Sequence, residues 1–172
     1  MENVILVDEF DNSLGEMEKM EAHRKGELHR AFSVFIFNDK NEMLLQQRAI
    51  TKYHSGGLWS NSCCSHPRVN EGLLEAGKRR LMEELGIETE LEKQFSFIYR
   101  AELDNELTEH ELDHVLFGRY NDFGKVNEEE VMDLKYVAID EIQRELIEHP
   151  EIYTAWFKVV FDRTKNLIEG WK

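Results

Sequence analysis

Proline and cysteine are both scarce in this chain, two of each among 172 residues. With so little proline, and no stretch rich in Pro, Gly or Ser, there is no candidate linker. Residues 1–172 are therefore expected to form a single domain, long enough for a sizeable core. The two cysteines are neighbours, Cys63 and Cys64, where a disulfide would be strained, so they read as free thiols in a reducing compartment. Long apolar runs are also missing. Stretches such as residues 32–37 fall far short of the about 20 residues that a membrane helix needs, and no membrane insertion is expected. Met1-Glu2-Asn3 lacks the basic start of a secretory signal, which leaves the cytoplasm as the expected location. Positive charge is in deficit: 21 Lys and Arg against 35 Asp and Glu give a formal net charge of -14. That field repels polyanions, so no nucleic-acid partner is expected, although a small anion still responds to a local group of cations.

Enrichment in β-branched and aromatic residues, or alternation, predicts strands over residues 3–8, 31–38, 42–48, 95–101, 112–120 and 133–138. Asp39-Lys40-Asn41 reads as a hairpin turn. Helix starts are expected at Ser13 with Glu16 three residues on, at Asn70 ahead of Glu71, at Asp140 with Gln143, and at Pro150 just inside the last helix. Leu74, Leu81 and Leu85 form an apolar stripe that Gly86 ends. Hairpins of strands with helices between and after them argue for α+β layers.

Three groups of residues bear chemistry. His23, His29, His66, Glu109 and Glu111 together suit a metal site of three nitrogens and two carboxylates, although exposed glutamates and stray histidines are common in an acidic chain. On a strand, residues two apart share a face, so Glu109 and Glu111 project together while His110 turns away, and Cys64 lies beside His66. The same alternation turns Cys63 the other way, as a small core residue. On the helix after Asn70, Arg80 and Glu84 share a face, as do Arg79 and Glu83; either pair serves equally well as a surface ion pair. Lys19, Arg48, Lys52 and Arg80 are scattered, and only convergence in space makes them an anion clamp. Tyr99 and Trp156 fit core or substrate pocket alike.

Four stretches then carry a family likeness: KMEAH at 19–23 followed by GELHRAFS at 26–33, LQQRAITK at 45–52, WSNSCCSHP at 59–67, and EHE at 109–111. With them the sequence resembles type 1 isopentenyl-diphosphate delta-isomerase, a family built on the Nudix fold, from about Lys19 to Trp156. The resemblance implies an α/β/α sandwich with a mixed sheet and flanking helices. It implies His23, His29, His66, Glu109 and Glu111 as ligands of a divalent ion, Mn²⁺, Zn²⁺ or Mg²⁺, and Cys64 as the catalytic thiol. It makes Lys19, Arg48, Lys52 and Arg80 diphosphate contacts, Glu84 the carboxylate holding a Mg²⁺ against the diphosphate, and Tyr99 and Trp156 active-site aromatics. The implied reaction, part of isoprenoid biosynthesis, converts isopentenyl to dimethylallyl diphosphate. Glu111 with Tyr99 protonates the alkene at C4 and Cys64 removes a proton from C2, while the face of Trp156 supports the cation between. The substrate is the only partner required, by a monomer or weak dimer.

The Nudix hydrolase signature, G-x5-E-x7-R-E-U-x-E-E-x-G-U with U aliphatic, is met by Glu71, Arg79, Leu81, Glu83, Glu84, Gly86 and Ile87. Ser65 replaces its first glycine, and Arg80 replaces the glutamate after the arginine. The second change puts a cation where the hydrolases of this fold use a metal-binding carboxylate. Two other readings stay open on the residues: a Nudix diphosphate hydrolase, and a non-catalytic domain that binds metal or senses a ligand.

Overall fold

The computed structural model describes residues 2–168, Gly170 and Trp171. In chain order it runs β1 (Asn3–Val7), β2 (Ser13–Glu18), α1 (Lys19–Lys25), β3 (His29–Phe37), β4 (Met43–Arg48), β5 (Trp59–Ser60), β6 (Cys63–Ser65), α2 (Leu73–Leu85), β7 (Leu91–Glu102), β8 (Thr108–Arg119), β9 (Val131–Val137), α3 (Ile139–Glu148) and α4 (Ala155–Ile168). The strands join one mixed sheet. β3 pairs parallel with β8 from His29↔Glu111 to Phe37↔Arg119, and β7 pairs antiparallel with β8 along its whole length.

Alternation along β3 builds two cores. Phe32, Val34 and Ile36 face α2 with Leu44, Cys63, Leu81, Leu85 and Leu116. Phe35 and Phe37 face the other way, onto Phe117, Trp156, Phe157 and Phe161 beside α3 and α4. Helices on both sides of a two-faced sheet make the expected α/β/α sandwich. Gly77 lets α2 lie close on the sheet, since a Cβ there would meet Leu116 at 2.8 Å and Leu91 at 2.9 Å. Gly86, left-handed at φ 63°, ends the helix as its sequence position suggested. Among the described residues no helix is long and apolar enough to cross a membrane.

One feature of the sheet positions the site. β3 and β4 touch only at Phe37↔Met43, and the segment carrying β5 and β6 fills the gap between them. That segment pairs with β4 through Trp59 and Ser60, and with β3 through Cys63, Cys64 and Ser65.

All six expected strands are present, with β8 starting at Thr108 and β7 at Leu91, each four residues before the expected start. The helix expected at Ser13 is overturned. Residues 13–18 form β2, paired with β1 from Asn3↔Glu18 to Val7↔Ser13, because the hairpin satisfies every second backbone group that a short, exposed helix would leave to water. The helix there begins at Lys19, and the Glu18 side chain accepts from the Glu21 amide. Asn70 is a turn residue at φ 62°, and α2 starts after Gly72, whose amide donates to Glu75 at 3.2 Å. Ala138 precedes α3, which moves Asp140 into its first turn. Pro150 opens a 3-10 turn over Pro150–Ile152, and α4 begins only at Ala155. Leu74 drops out of the stripe, being 40% exposed, while Leu81 and Leu85 are buried.

Candidate active site

On β8 the odd residues Glu109, Glu111 and Asp113 share one face, and all three carboxylates are buried. Register sets Glu111 beside His29 on β3, and Ser33, four residues farther along and on the same face, beside Cys64 on β6. Glu111 and Cys64 therefore flank β3 on the same face. Between and above them opens a cavity of about 540 Å³ including its mouth, lined by Lys19, Arg48, Lys52, Arg80 and Glu84, by Cys64, Tyr99, Glu109, Glu111 and Trp156, and by His23 and His66. His29, fully buried, lies behind them.

The histidine cluster is built to receive a cation. Nδ1 of His23 lies 2.8 Å from the Lys19 carbonyl and Nδ1 of His29 lies 2.8 Å from the Glu27 carbonyl. A carbonyl only accepts, so each Nδ1 carries the proton and each neutral ring aims the lone pair of Nε2 inward. His29 Nε2 is 3.2 Å from His66 Nε2, which is 3.1 Å from Glu111 Oε1; His23 Nε2 is buried with no partner. One donor atom from each of His23, His29, His66 and Glu111 lies within 4.8 Å of the others. Lone pairs and a carboxylate facing one another repel unless a cation sits among them, so this donor set fits a divalent metal ion. Glu109 stands outside that four-atom group and accepts from the Tyr99 hydroxyl at 2.9 Å; the same hydroxyl lies 2.7 Å from Glu111. His110 turns away and bonds the Gly26 carbonyl.

Burial pushes both glutamates up. The neighbouring His29 and His66 rings reverse this for Glu111, while the Glu111 charge drives Glu109 further up. The pair thus shares its negative charge unequally. Burial and the Glu109 and Glu111 charges also keep Tyr99 a phenol. Burial and the nearby Asp113 raise the Cys64 thiol, and its Sγ–H points to Asn61 Oδ1 at 3.0 Å while Trp156 Nε1–H donates to the sulfur at 3.1 Å. Asn61 is locked by two donated bonds, to the Val34 and Cys63 carbonyls, each 3.0 Å. Asp113 is pushed up to about 8 by burial and by Glu111, and accepts from Ser33 at 2.7 Å. Cys63 is fully buried against α2, as alternation indicated, and both thiols are free.

The four cations converge, and two have donors to spare. Nε of Arg48 and Nε of Arg80 are buried without partners, and Arg48 forms no ion pair among the described residues. Arg48 lies 5.2 Å over the Trp156 ring, so one face of that indole already holds a guanidinium. Lys19 sits 5.2 Å over the Tyr53 ring and 3.2 Å from Glu2, and Lys52 pairs with Glu130. Arg80 bonds Glu84 at 2.6 Å and Glu83 at 2.8 Å, and reaches Glu130 at 3.3 Å. Gln46 holds the other Glu84 oxygen at 2.9 Å.

The model of the NUDIX domain matches residues 27–157. An isopentenyl-diphosphate Delta-isomerase of Pectobacterium atrosepticum is 52% identical over 169 residues, which cover 98% of this chain and 94% of that protein. The isopentenyl-diphosphate Delta-isomerase 2 of Aromatoleum aromaticum is 49% identical over 94% of this chain and 86% of its own. The chain belongs to the isopentenyl-diphosphate Delta-isomerase family, within the Nudix superfamily. A crystal structure from Deinococcus radiodurans superposes with a TM-score of 0.79 at 17% identity, over 94% of this chain and 98% of that one. A MutT protein from Methanosarcina mazei gives 0.65 at 22% identity, over 84% and 96%. These two establish the fold alone.

Within that family fold, sequence reasoning had no role for Ser33, Tyr53, His54, Asn61 or Asp113, which line or back the cavity. Asp113 was open to detection, since it continues the two-residue step from Glu109 and Glu111 on a strand. Tyr53 and His54 lie on a loop without periodicity, and no pattern marks them.

Proposed function

We propose that this chain converts isopentenyl diphosphate to dimethylallyl diphosphate, with Cys64 and Glu111 as its acid-base pair and the whole 172-residue chain as one catalytic unit. The supporting observation is that the two side chains flank β3 on one face and border a single cavity whose rim carries Lys19, Arg48, Lys52 and Arg80. Isopentenyl diphosphate has no acidic hydrogen, so the reaction starts by adding a proton to C4. This leaves a tertiary cation at C3, and loss of a proton from C2 completes the transposition. Glu111, with the Tyr99 hydroxyl 2.7 Å away, delivers the proton at C4. Cys64 takes the proton from C2, with Trp156 Nε1–H donating to its sulfur to hold the thiolate. The Trp156 ring favours a cation near its open face by about 2 kcal/mol when desolvated.

His23, His29, His66, Glu109 and Glu111 would hold a divalent ion, Mn²⁺, Zn²⁺ or Mg²⁺, and Glu84 a Mg²⁺ with the diphosphate. Such ions supply charge neutralisation and depress the proton affinity of the carboxylates they touch. Arg48 and Arg80, each with an unpaired Nε–H, fix the diphosphate and thereby the distance of C2 and C4 from their partners. The substrate is the one partner needed, and the chain works as a monomer or weak dimer in the cytoplasm. Proton NMR of isopentenyl diphosphate with enzyme and Mg²⁺ in D₂O tests the proposal. Loss of the terminal alkene signals with deuterium entering dimethylallyl diphosphate is expected; release of phosphate with the alkene intact would support a hydrolase instead.

A further inference from the structure

A tertiary carbocation in water is captured within a few molecular vibrations, so an enzyme that makes one needs a wall around C3 as much as an acid and a base. At the end of the cavity that holds Trp156 and Glu109, the wall is His54. Its ring stands edge-on to Trp156 at 5.7 Å and edge-on to Tyr53 at 4.4 Å, and its Nε2 is 3.8 Å from Glu109. The residue is only 5% exposed although it lies on a surface loop between β4 and β5. The loop is tied from both sides: the Arg48 guanidinium donates to the His54 carbonyl at 3.3 Å, Asn105 to the Tyr53 carbonyl at 3.2 Å, and Gln47 to the Gly57 carbonyl at 2.9 Å. Gly56 packs so tightly that a Cβ would meet the Ile50 carbonyl at 2.5 Å. Lys52, one of the four rim cations, is on the same loop, so one segment brings both a cation and the His54 ring to the cavity.

We propose that His54 is the specificity-determining wall of the alkene end, excluding water from the C3 cation so that the reaction ends in isomerisation and not hydration. The inference rests on the isomerase reading above. Without the ring, a water lone pair forms a C3–O bond, the water proton leaves to solvent, and the product is the tertiary alcohol diphosphate, heavier than substrate by one water. His54 is neither acid nor base in this account; it acts through the space it fills.

The test is product analysis by mass spectrometry after incubation of isopentenyl diphosphate and Mg²⁺ with the full chain in oxygen-labelled water. His54→Ala should raise the ratio of labelled tertiary alcohol to dimethylallyl diphosphate by about tenfold or more over wild type, which corresponds to about 1.4 kcal/mol between the two exits. His54→Phe, which restores a ring of similar width without a titratable nitrogen, should return the ratio to that of wild type. Should His54→Ala fail to fold, His54→Asn opens the same gap with a shorter polar group. An unchanged ratio in the folded small variants, at whatever rate, overturns the wall. A wild-type protein that leaves isopentenyl diphosphate untouched overturns the isomerase reading itself, which is a separate result.

Discussion

Removal of metal should weaken the fold, and the structure sets the size of the effect. Four buried groups, His23, His29, His66 and Glu111, bring ligand atoms within 4.8 Å of one another, and backbone carbonyls fix two of the rings so that Nε2 lone pairs face inward. The unfolded chain has no such arrangement, so an ion held there binds the native state alone. At a free concentration 100 times the dissociation constant it adds about 2.7 kcal/mol. In a chain of 172 residues, 1 kcal/mol moves the midpoint by about 2–4 °C, so the shift expected is about 5–11 °C. The assay is thermal unfolding of chelator-stripped protein titrated in turn with Mn²⁺, Zn²⁺ and Mg²⁺. In His29→Ala the shift should shrink to under about 2 °C, since one ligand is gone and the pocket is still sealed. Glu84→Gln should retain the full shift, because that carboxylate lies on α2 against Arg80 and Gln46, apart from the four. A shift in His29→Ala and Glu111→Gln as large as in wild type, or none with any ion in wild type, would refute the cluster as a metal site.

Arg80→Glu, read as substrate affinity at fixed Mg²⁺, should weaken binding by about 10–100-fold through loss of a charge-assisted hydrogen bond; unchanged affinity removes Arg80 from the clamp. Cys64→Ser should lower turnover by at least about 100-fold, with little change in the unfolding midpoint, because a hydroxyl can keep the bonds to Asn61 and Trp156; near-normal turnover removes the thiol from the mechanism. Acid stability should depend on His114, which burial and Lys93 hold down to about 4 against the opposing pull of Asp11. Its folded value lies below its unfolded one, so stability is full above about pH 6.5 and declines from there to about pH 4, as the unfolded chain takes up a proton that the native one refuses. Urea unfolding across that range should show a shallower decline in His114→Gln; an identical slope would contradict the assignment.

How far the site was legible depended on whether a side chain's direction follows from the chain's own period. On β8 it does, and the step of two residues put Glu109 and Glu111 on one face with His110 reversed, which the register with β3 and β7 bears out. The Cys63 and Cys64 division followed in the same way, because residues 63–65 are extended against β3. The start of α1 was misplaced because Ser13 and Glu16 satisfy a local capping pattern that competes with a nonlocal hairpin, and sequence shows only the local side of that competition. His54 was invisible for a related reason. Its direction comes from Arg48, Asn105 and Gln47, three contacts from elsewhere that close the loop over the cavity.

Arg80 shows how a hydrolase scaffold is turned from its usual chemistry. Of the signature carboxylates, Glu71 is held by Arg79 at 2.6 and 2.9 Å, Glu83 by Arg79 at 3.2 Å and Arg80 at 2.8 Å, and Glu84 by Arg80 at 2.6 Å. Two guanidinium groups thus engage the three signature carboxylates that this chain keeps. Charge-assisted bonds of this kind oppose a weakly held Mg²⁺ unless the ion arrives with its own anion. A diphosphate bringing Mg²⁺ would supply that anion, and the proposed clamp residues Arg48 and Arg80 each keep an unpaired Nε–H for it. An ion held in this way would keep the substrate in place, with no cluster of free carboxylates left to prepare a water for attack on phosphorus. On the proposed reading the diphosphate would stay whole and the chemistry would fall to Cys64 and Glu111, which lie on either side of β3.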